Sequence, residues 1–136
     1  PRRNVVGWES SRLAMLTAVL EARCGIPLSG RDIFLNVAGG MKIREPAADL
    51  AVAAALISSV RNHPLPDRSV FFGEVALSSQ IRQVSQAEQR LKEAKKLGFE
   101  KAFLPRPIKR NKINADLQLT YSENLSDLID ILDRIS

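Results

Sequence analysis

The sequence predicts a single domain of the α+β class. With 136 residues, of which 45% are hydrophobic and 26% charged, the chain has the size and composition of one globular unit that can bury a core. Short β-rich runs and longer runs of helical periodicity follow one another without a long linker or an internal repeat. The predicted order of elements is α-β-α-β-β-α-β-β-α.

The first part of the chain predicts two helices and one strand. Residues 10–24 are expected to form an amphipathic helix, because leucines recur there at helical spacing and Gly25 follows them. Residues 32–37 are β-rich and lead into Gly39-Gly40, so we expect a strand that enters a loop. Residues 46–60 begin with proline and are rich in alanine, which predicts a helix buried on most sides under the sheet.

The second part predicts a hairpin, a charged helix and a closing βα segment. Residues 69–77 and 81–84 resemble two strands joined by a polar turn. Residues 86–97 have an apolar stripe among many charges, which is typical of a solvated amphipathic helix, and Gly98 ends it. The remaining predicted elements are two strands and a helix, at residues 102–104, 117–120 and 125–135.

The charge of the chain favours a polyanionic partner. The formal net charge is +5, and the last 14 residues carry four acidic side chains against one arginine, so residues 1–122 carry +8. Lysines and arginines that neutralise phosphates release counterions and give affinity without sequence preference. DNA is therefore the leading candidate partner.

Cysteine usage and hydropathy indicate a cytoplasmic domain outside membranes. Cys24 is the single cysteine, so no intramolecular disulfide can form, and one Cys with one His cannot complete a four-ligand zinc site. The longest mainly apolar stretch, Ala47–Val60, is too short to cross a bilayer. Residues 1–7 contain neither an initiator Met nor a signal-peptide core, so we expect a fragment of a longer protein.

Three landmarks carry a resemblance to the proteolytic domain of the Lon family. Lys42–Asp49 matches the loop and helix start that hold the nucleophile in that family, Phe72–Leu77 resembles its Gly-Glu hairpin, and Ala87–Gly98 matches the helix that follows. The resemblance spans roughly residues 30–105. It implies a Lon-protease-type α/β sandwich, also described as ribosomal protein S5 domain 2-like.

The same resemblance implies that the protease chemistry is absent. The position after Pro46, where the family has its catalytic serine, holds Ala47, and the position of the family's lysine falls on Glu88. A serine nucleophile needs its hydroxyl and a base to take the proton, and both are missing here. The alternative is an active peptidase with a relocated dyad, such as Ser85 with Lys92.

Four further stretches carry a second resemblance: Val6–Ala14, Asp32–Gly40, Glu45–Ala51 and Phe72–Val75. They resemble the C-terminal domain of the RadA (Sms) family of bacterial DNA-repair proteins, and this resemblance covers nearly the whole chain. It implies a domain over residues 1–136 of a larger DNA-dependent ATPase, with a zinc finger and an ATPase core elsewhere. ATP, magnesium and zinc are implied for that parent and no cofactor for this fragment. The family also implies a ring, expected to be hexameric, that moves recombination intermediates by branch migration.

Two groups of basic residues are candidates for DNA contact. The first group lies beside the Gly-Gly loop and on the neighbouring hairpin, and it consists of Lys42, Arg44 and Arg82. The second group is a basic run with prolines, and it consists of Arg106, Lys109, Arg110 and Lys112. The alternative for the first group is that its members are solvated charges, and the alternative for the second is that it is only a flexible loop. Arg44 with Glu45 and Asp49 could instead form an ion-pair network between subunits, as in a purely structural oligomerisation domain.

Overall fold

A computed structural model of the chain describes residues 2–36, 43, 45–107, 113 and 115–135. The first elements are β1 (Arg3–Val6), α1 (Ser10–Cys24), β2 (Ile33–Asn36) and α2 (Asp49–Arg61), and α2 continues a single 3-10 turn at Pro46–Ala48. The later elements are β3 (Ser69–Phe71), β4 (Glu74–Val75), β5 (Ile81–Arg82), α3 (Ala87–Lys96), β6 (Lys101–Pro105), β7 (Gln118–Ser122) and α4 (Leu125–Ile135).

Within the described residues, the strands form two parallel sheets and one short hairpin. β1 pairs with β2, and β6 lies between β3 and β7, in each case in parallel. β4 pairs with β5 in antiparallel orientation. Parallel neighbours need a crossover connection, and α1 supplies it between β1 and β2. The result is a single mixed α/β domain with parallel sheets, which is compatible with the predicted α+β class.

Helices cover both faces of the β3–β6–β7 sheet. Phe103 of β6 belongs to the main core, which α1, α2 and α4 share, whereas its neighbours Ala102 and Leu104 pack with Leu91 of α3. Successive side chains of a strand point to opposite faces of the sheet. β6 is therefore buried on both faces, as strands of parallel sheets usually are.

The structure corrects two of the predicted elements. β1 was not predicted, because its four residues include Arg3 and Asn4 and offer little apolar pattern. The predicted strand over residues 69–77 is wrong as one unit, because Phe72-Gly73 divides it: β3 pairs with β6, and only β4 pairs with β5. Gly73 has φ +155, and a Cβ there would lie 2.7 Å from Cγ2 of Ile81.

The prediction that the helix over residues 46–60 is buried on most sides is correct for one side only. Leu50 and Ala54 are fully buried, whereas Ala51 and Ala55 are exposed. The exposed face is made of small uncharged residues, so its composition resembles that of a buried helix face.

Candidate functional site

Ala47, where the Lon-type resemblance implies a serine, lies in the turn that starts α2. Its side chain is buried. The N–H of Gly73 donates to the carbonyl of Ala47 at 2.9 Å, and the N–H of Leu50 donates to the carbonyl of Gly73 at 3.1 Å. These bonds fix the start of α2 against the segment before β4. The methyl side chain of Ala47 has no oxygen that could attack a carbonyl.

Asp49 anchors the same helix start from inside the core. Its side chain is fully buried, and its carboxylate accepts hydrogen bonds from Nε of Arg12 at 2.8 Å, from Nη2 of Arg12, and from the N–H of Val75 at 3.0 Å. A bidentate guanidinium–carboxylate contact is both strong and directional. The bond to Asp49 raises the pKa of Arg12. Asp49 therefore holds α1, α2 and β4 together.

The burial of Asp49 contradicts the suggestion that it belongs to an ion-pair network between subunits. Its carboxylate is out of reach of another subunit, because it is fully buried and its partners lie in the same chain. Glu45 also has a partner within the chain, since Nη2 of Arg90 donates to its carboxylate. Both acidic groups therefore stabilise this chain's own fold.

The Glu45–Arg90 ion pair links the start of α3 to the segment before Ala47. Arg90 also donates from Nε to the carbonyl of Ser85 at 2.9 Å. The hydrogen bond from Arg90 lowers the pKa of Glu45. Glu88 is exposed in the first turn of α3, so the ion pair joins the segment before Ala47 to the helix that carries Glu88. These two positions hold neither the serine nor the lysine that the Lon-type resemblance implies.

Two of the candidate DNA-contact residues, Arg82 and Arg106, lie on segments that contact each other. Nε2 of Gln83, the residue after Arg82, donates to the backbone carbonyl of Arg106 at 2.7 Å. Arg82 is exposed on β5 opposite Glu74, and it takes part in none of the ion pairs found among the described residues. The structure thus joins the hairpin candidate to one end of the predicted basic run.

The guanidinium of Arg106 has a carboxylate and an aromatic ring nearby, but its positive charge is not cancelled by a buried partner. Its Nε lies 3.5 Å from Oε1 of Glu123, and its Cζ lies 6.0 Å from the ring centroid of Tyr121. The side chains of Arg106 and Glu123 are 62% and 68% exposed, so water screens their attraction, which is worth about 0–1 kcal/mol. A phosphate can compete with such a contact. The other candidates lie outside the described residues: Lys42, Arg44, Lys109, Arg110 and Lys112.

Sequence reasoning missed Arg12, which binds the buried carboxylate of Asp49, and Arg90, which pairs with Glu45. One signal was present for Arg12. Asp49 is the one acidic residue in an apolar helix, and a buried carboxylate needs a cationic or hydrogen-bonding partner. No comparable signal marked Arg90, because the helix over residues 87–96 carries many charges.

The described residues contain no group of three or more His, Cys, Asp or Glu side chains that could hold a metal ion. None of the helices in that part of the chain has the length and hydrophobicity needed to span a membrane.

Cys24 is partly buried, and burial raises the pKa of its thiol. Its nearest polar contact is Oγ of Ser126 at 3.9 Å.

Comparison with known proteins identifies the family of the chain. The chain is 51% identical over 129 residues to the DNA repair protein RadA of Brucella abortus, covering 95% of this chain and 28% of that protein. It is 44% identical over 135 residues to the RadA protein of Haemophilus influenzae, covering 99% of this chain and 30% of that protein. The chain therefore spans less than a third of the length of these relatives. Residues 9–107 match the family described as subunit ChlI of Mg-chelatase, and the chain belongs to that family.

Proposed function

We propose that residues 1–136 form the Lon-protease-like domain at the C-terminal end of a RadA-type DNA-repair ATPase, with the Lon-type α/β sandwich as its fold. In this proposal the domain binds DNA without sequence preference, contributes to a ring that is hexameric in the parent, and cleaves no peptides. The similarity to proteins named DNA repair protein RadA, which covers nearly the whole chain, supports the assignment.

The parent would supply the chemistry that this domain lacks. ATP and magnesium would bind to an ATPase core, and zinc to a finger, both outside this chain. The proposed activity of the whole protein is branch migration of recombination intermediates, driven by ATP hydrolysis. Cytoplasmic localisation belongs to the same proposal, since DNA is the proposed partner.

The proposal that the domain cleaves no peptides is supported by the site around Ala47 and Glu88. A Lon-type mechanism needs a hydroxyl and a neutral amine, and these two positions carry a methyl group and a carboxylate. Loss of a catalytic nucleophile usually costs many orders of magnitude in rate. Labelling of the chain by a serine-directed fluorophosphonate would instead favour the alternative of a relocated dyad.

One observation carries the proposed DNA binding: Arg82 and Arg106 lie on two segments that a hydrogen bond joins, and no buried carboxylate neutralises either guanidinium. Arginine can donate two parallel hydrogen bonds to a phosphate, so each of these arginines can hold a phosphate of the DNA backbone. Contacts to phosphates alone fix the position of the duplex and do not read its sequence.

The test is duplex binding by an Arg82→Ala/Arg106→Ala variant at several salt concentrations. Each phosphate contact adds about 0.9 to the slope of log K against log salt, so the slope should become shallower by about 2. The matched control is Lys92→Ala/Lys96→Ala, which removes the same charge from the exposed face of α3. Equal slopes for the two variants would remove Arg82 and Arg106 from the DNA interface.

A further inference from the structure

Three arginines converge where β1 begins. Nη1 of Arg3 donates to the carbonyl of Arg31 and, at 3.4 Å, to the carbonyl of Arg2. Nη2 of the same side chain donates to the carbonyl of Leu28 at 3.1 Å. One guanidinium thus holds the backbones of Arg2 and Arg31 beside each other. Because its acceptors are carbonyl groups, Arg3 keeps its full positive charge.

The other two arginines of this group are exposed and carry no ion pair among the described residues. Two carboxylates lie nearby, and each accepts a hydrogen bond from a neutral donor. Asp32 accepts from the backbone N–H of Arg2 at 2.7 Å, and Glu21 accepts from the hydroxyl of Ser29 at 2.7 Å. Arg2 and Arg31 therefore present unpaired guanidiniums to solvent.

This arginine cluster, Arg2, Arg3 and Arg31, is separate from the site around Ala47. The carbonyl of Gly7, just after the carboxyl end of β1, accepts a hydrogen bond from the N–H of Ile43 at 2.6 Å, close to the start of α2. The arginine cluster lies at the opposite end of β1. Four residues of strand span about 13 Å, so the two sites are distinct surfaces.

We propose that Arg2 and Arg31 form a second binding site for phosphates of the DNA backbone. The inference rests on the proposed function, because it assumes that the domain binds DNA. The hydrogen bonds of Arg3 fix the backbones of Arg2 and Arg31 beside each other before DNA arrives, so binding does not have to order these two backbone segments. Guanidiniums also match phosphate geometry better than ammonium groups do.

An Arg2→Ala/Arg31→Ala variant tests this site by fluorescence anisotropy with a labelled duplex. We expect weaker binding and a salt slope shallower by about 2, from two lost phosphate contacts. The Lys92→Ala/Lys96→Ala variant removes the same charge from α3 and should keep the wild-type slope. An Arg2→Lys/Arg31→Lys variant keeps both charges and should recover most of the slope. Thermal unfolding of each variant confirms that it is folded.

Amide chemical shifts of the wild-type chain give a second measurement that needs no variant. Addition of the duplex should shift the amides of Arg3, Arg31 and Asp32. If the wild-type chain binds the duplex while these amides stay still and the double variant keeps the wild-type slope, the second site is wrong and the proposed function stands. If the wild-type chain binds no duplex at all, the proposed function itself fails.

Discussion

Replacing Asp49 by alanine is expected to lower the free energy of unfolding by about 3–5 kcal/mol, the range for breaking a buried ion pair by removing one partner. The substitution leaves the guanidinium of Arg12 without its carboxylate and the N–H of Val75 without an acceptor. The Asp49 side chain is fully buried, so water cannot replace these bonds without opening the core. Urea denaturation of the two proteins measures the difference.

The control for Asp49 is an ion pair at the surface. Nε of Arg68 lies 3.2 Å from Oε1 of Glu100, and the two side chains are 68% and 49% exposed. Glu100→Ala should therefore cost less than about 1 kcal/mol. A loss for Asp49→Ala as small as the loss for Glu100→Ala would contradict the anchoring role of Asp49.

Replacing Gly73 by alanine is expected to cost about 2–4 kcal/mol, from overpacking together with backbone strain. An added Cβ would lie 2.7 Å from Cγ2 of Ile81 and 3.2 Å from Cδ of Pro105. Both neighbours belong to packed elements, so neither can move away cheaply. The same residue makes two backbone hydrogen bonds to the start of α2, and a shift there would loosen the segment around Ala47.

Gly98→Ala separates the steric effect from the effect of backbone conformation. Gly98 has φ +94, but a Cβ there would meet nothing within 4 Å. Its replacement should cost about 1 kcal/mol, since only the backbone conformation is penalised. Differential scanning calorimetry of both variants gives the comparison. If Gly73→Ala is no more damaging than Gly98→Ala, the close approach at Gly73 is unimportant for stability.

The elements that could be predicted are those with strong local signals. The helix that ends at Gly25 was placed correctly, because its apolar spacing and its stop signal agree. β1 has no such pattern, and its existence depends on pairing with β2 about thirty residues later in the chain. The break at Gly73 depends on Ile81 and Pro105, which local propensity does not include.

The candidate site could be predicted only in part, because some of its contacts join residues that lie far apart in the sequence. The resemblance to the Lon family gave the identities at Ala47 and Glu88 from linear motifs alone. The ion pair of Glu45 with Arg90 joins the segment before Ala47 to the helix that carries Glu88. Its two residues are 45 positions apart, so no local pattern predicts it. The arginine cluster also depends on tertiary structure, because β1 pairing sets Arg3 beside the turn that carries Arg31.

The central claim is that this domain holds DNA through its phosphates. The most direct measurement is the affinity of the unmodified chain for duplexes of unrelated sequence, over a series of salt concentrations. Four arginine contacts predict a linear fall of log K with log salt, with a slope of about −3 to −4, and the same slope for every duplex. Affinity that does not change with salt, or no binding at low salt, would contradict the claim.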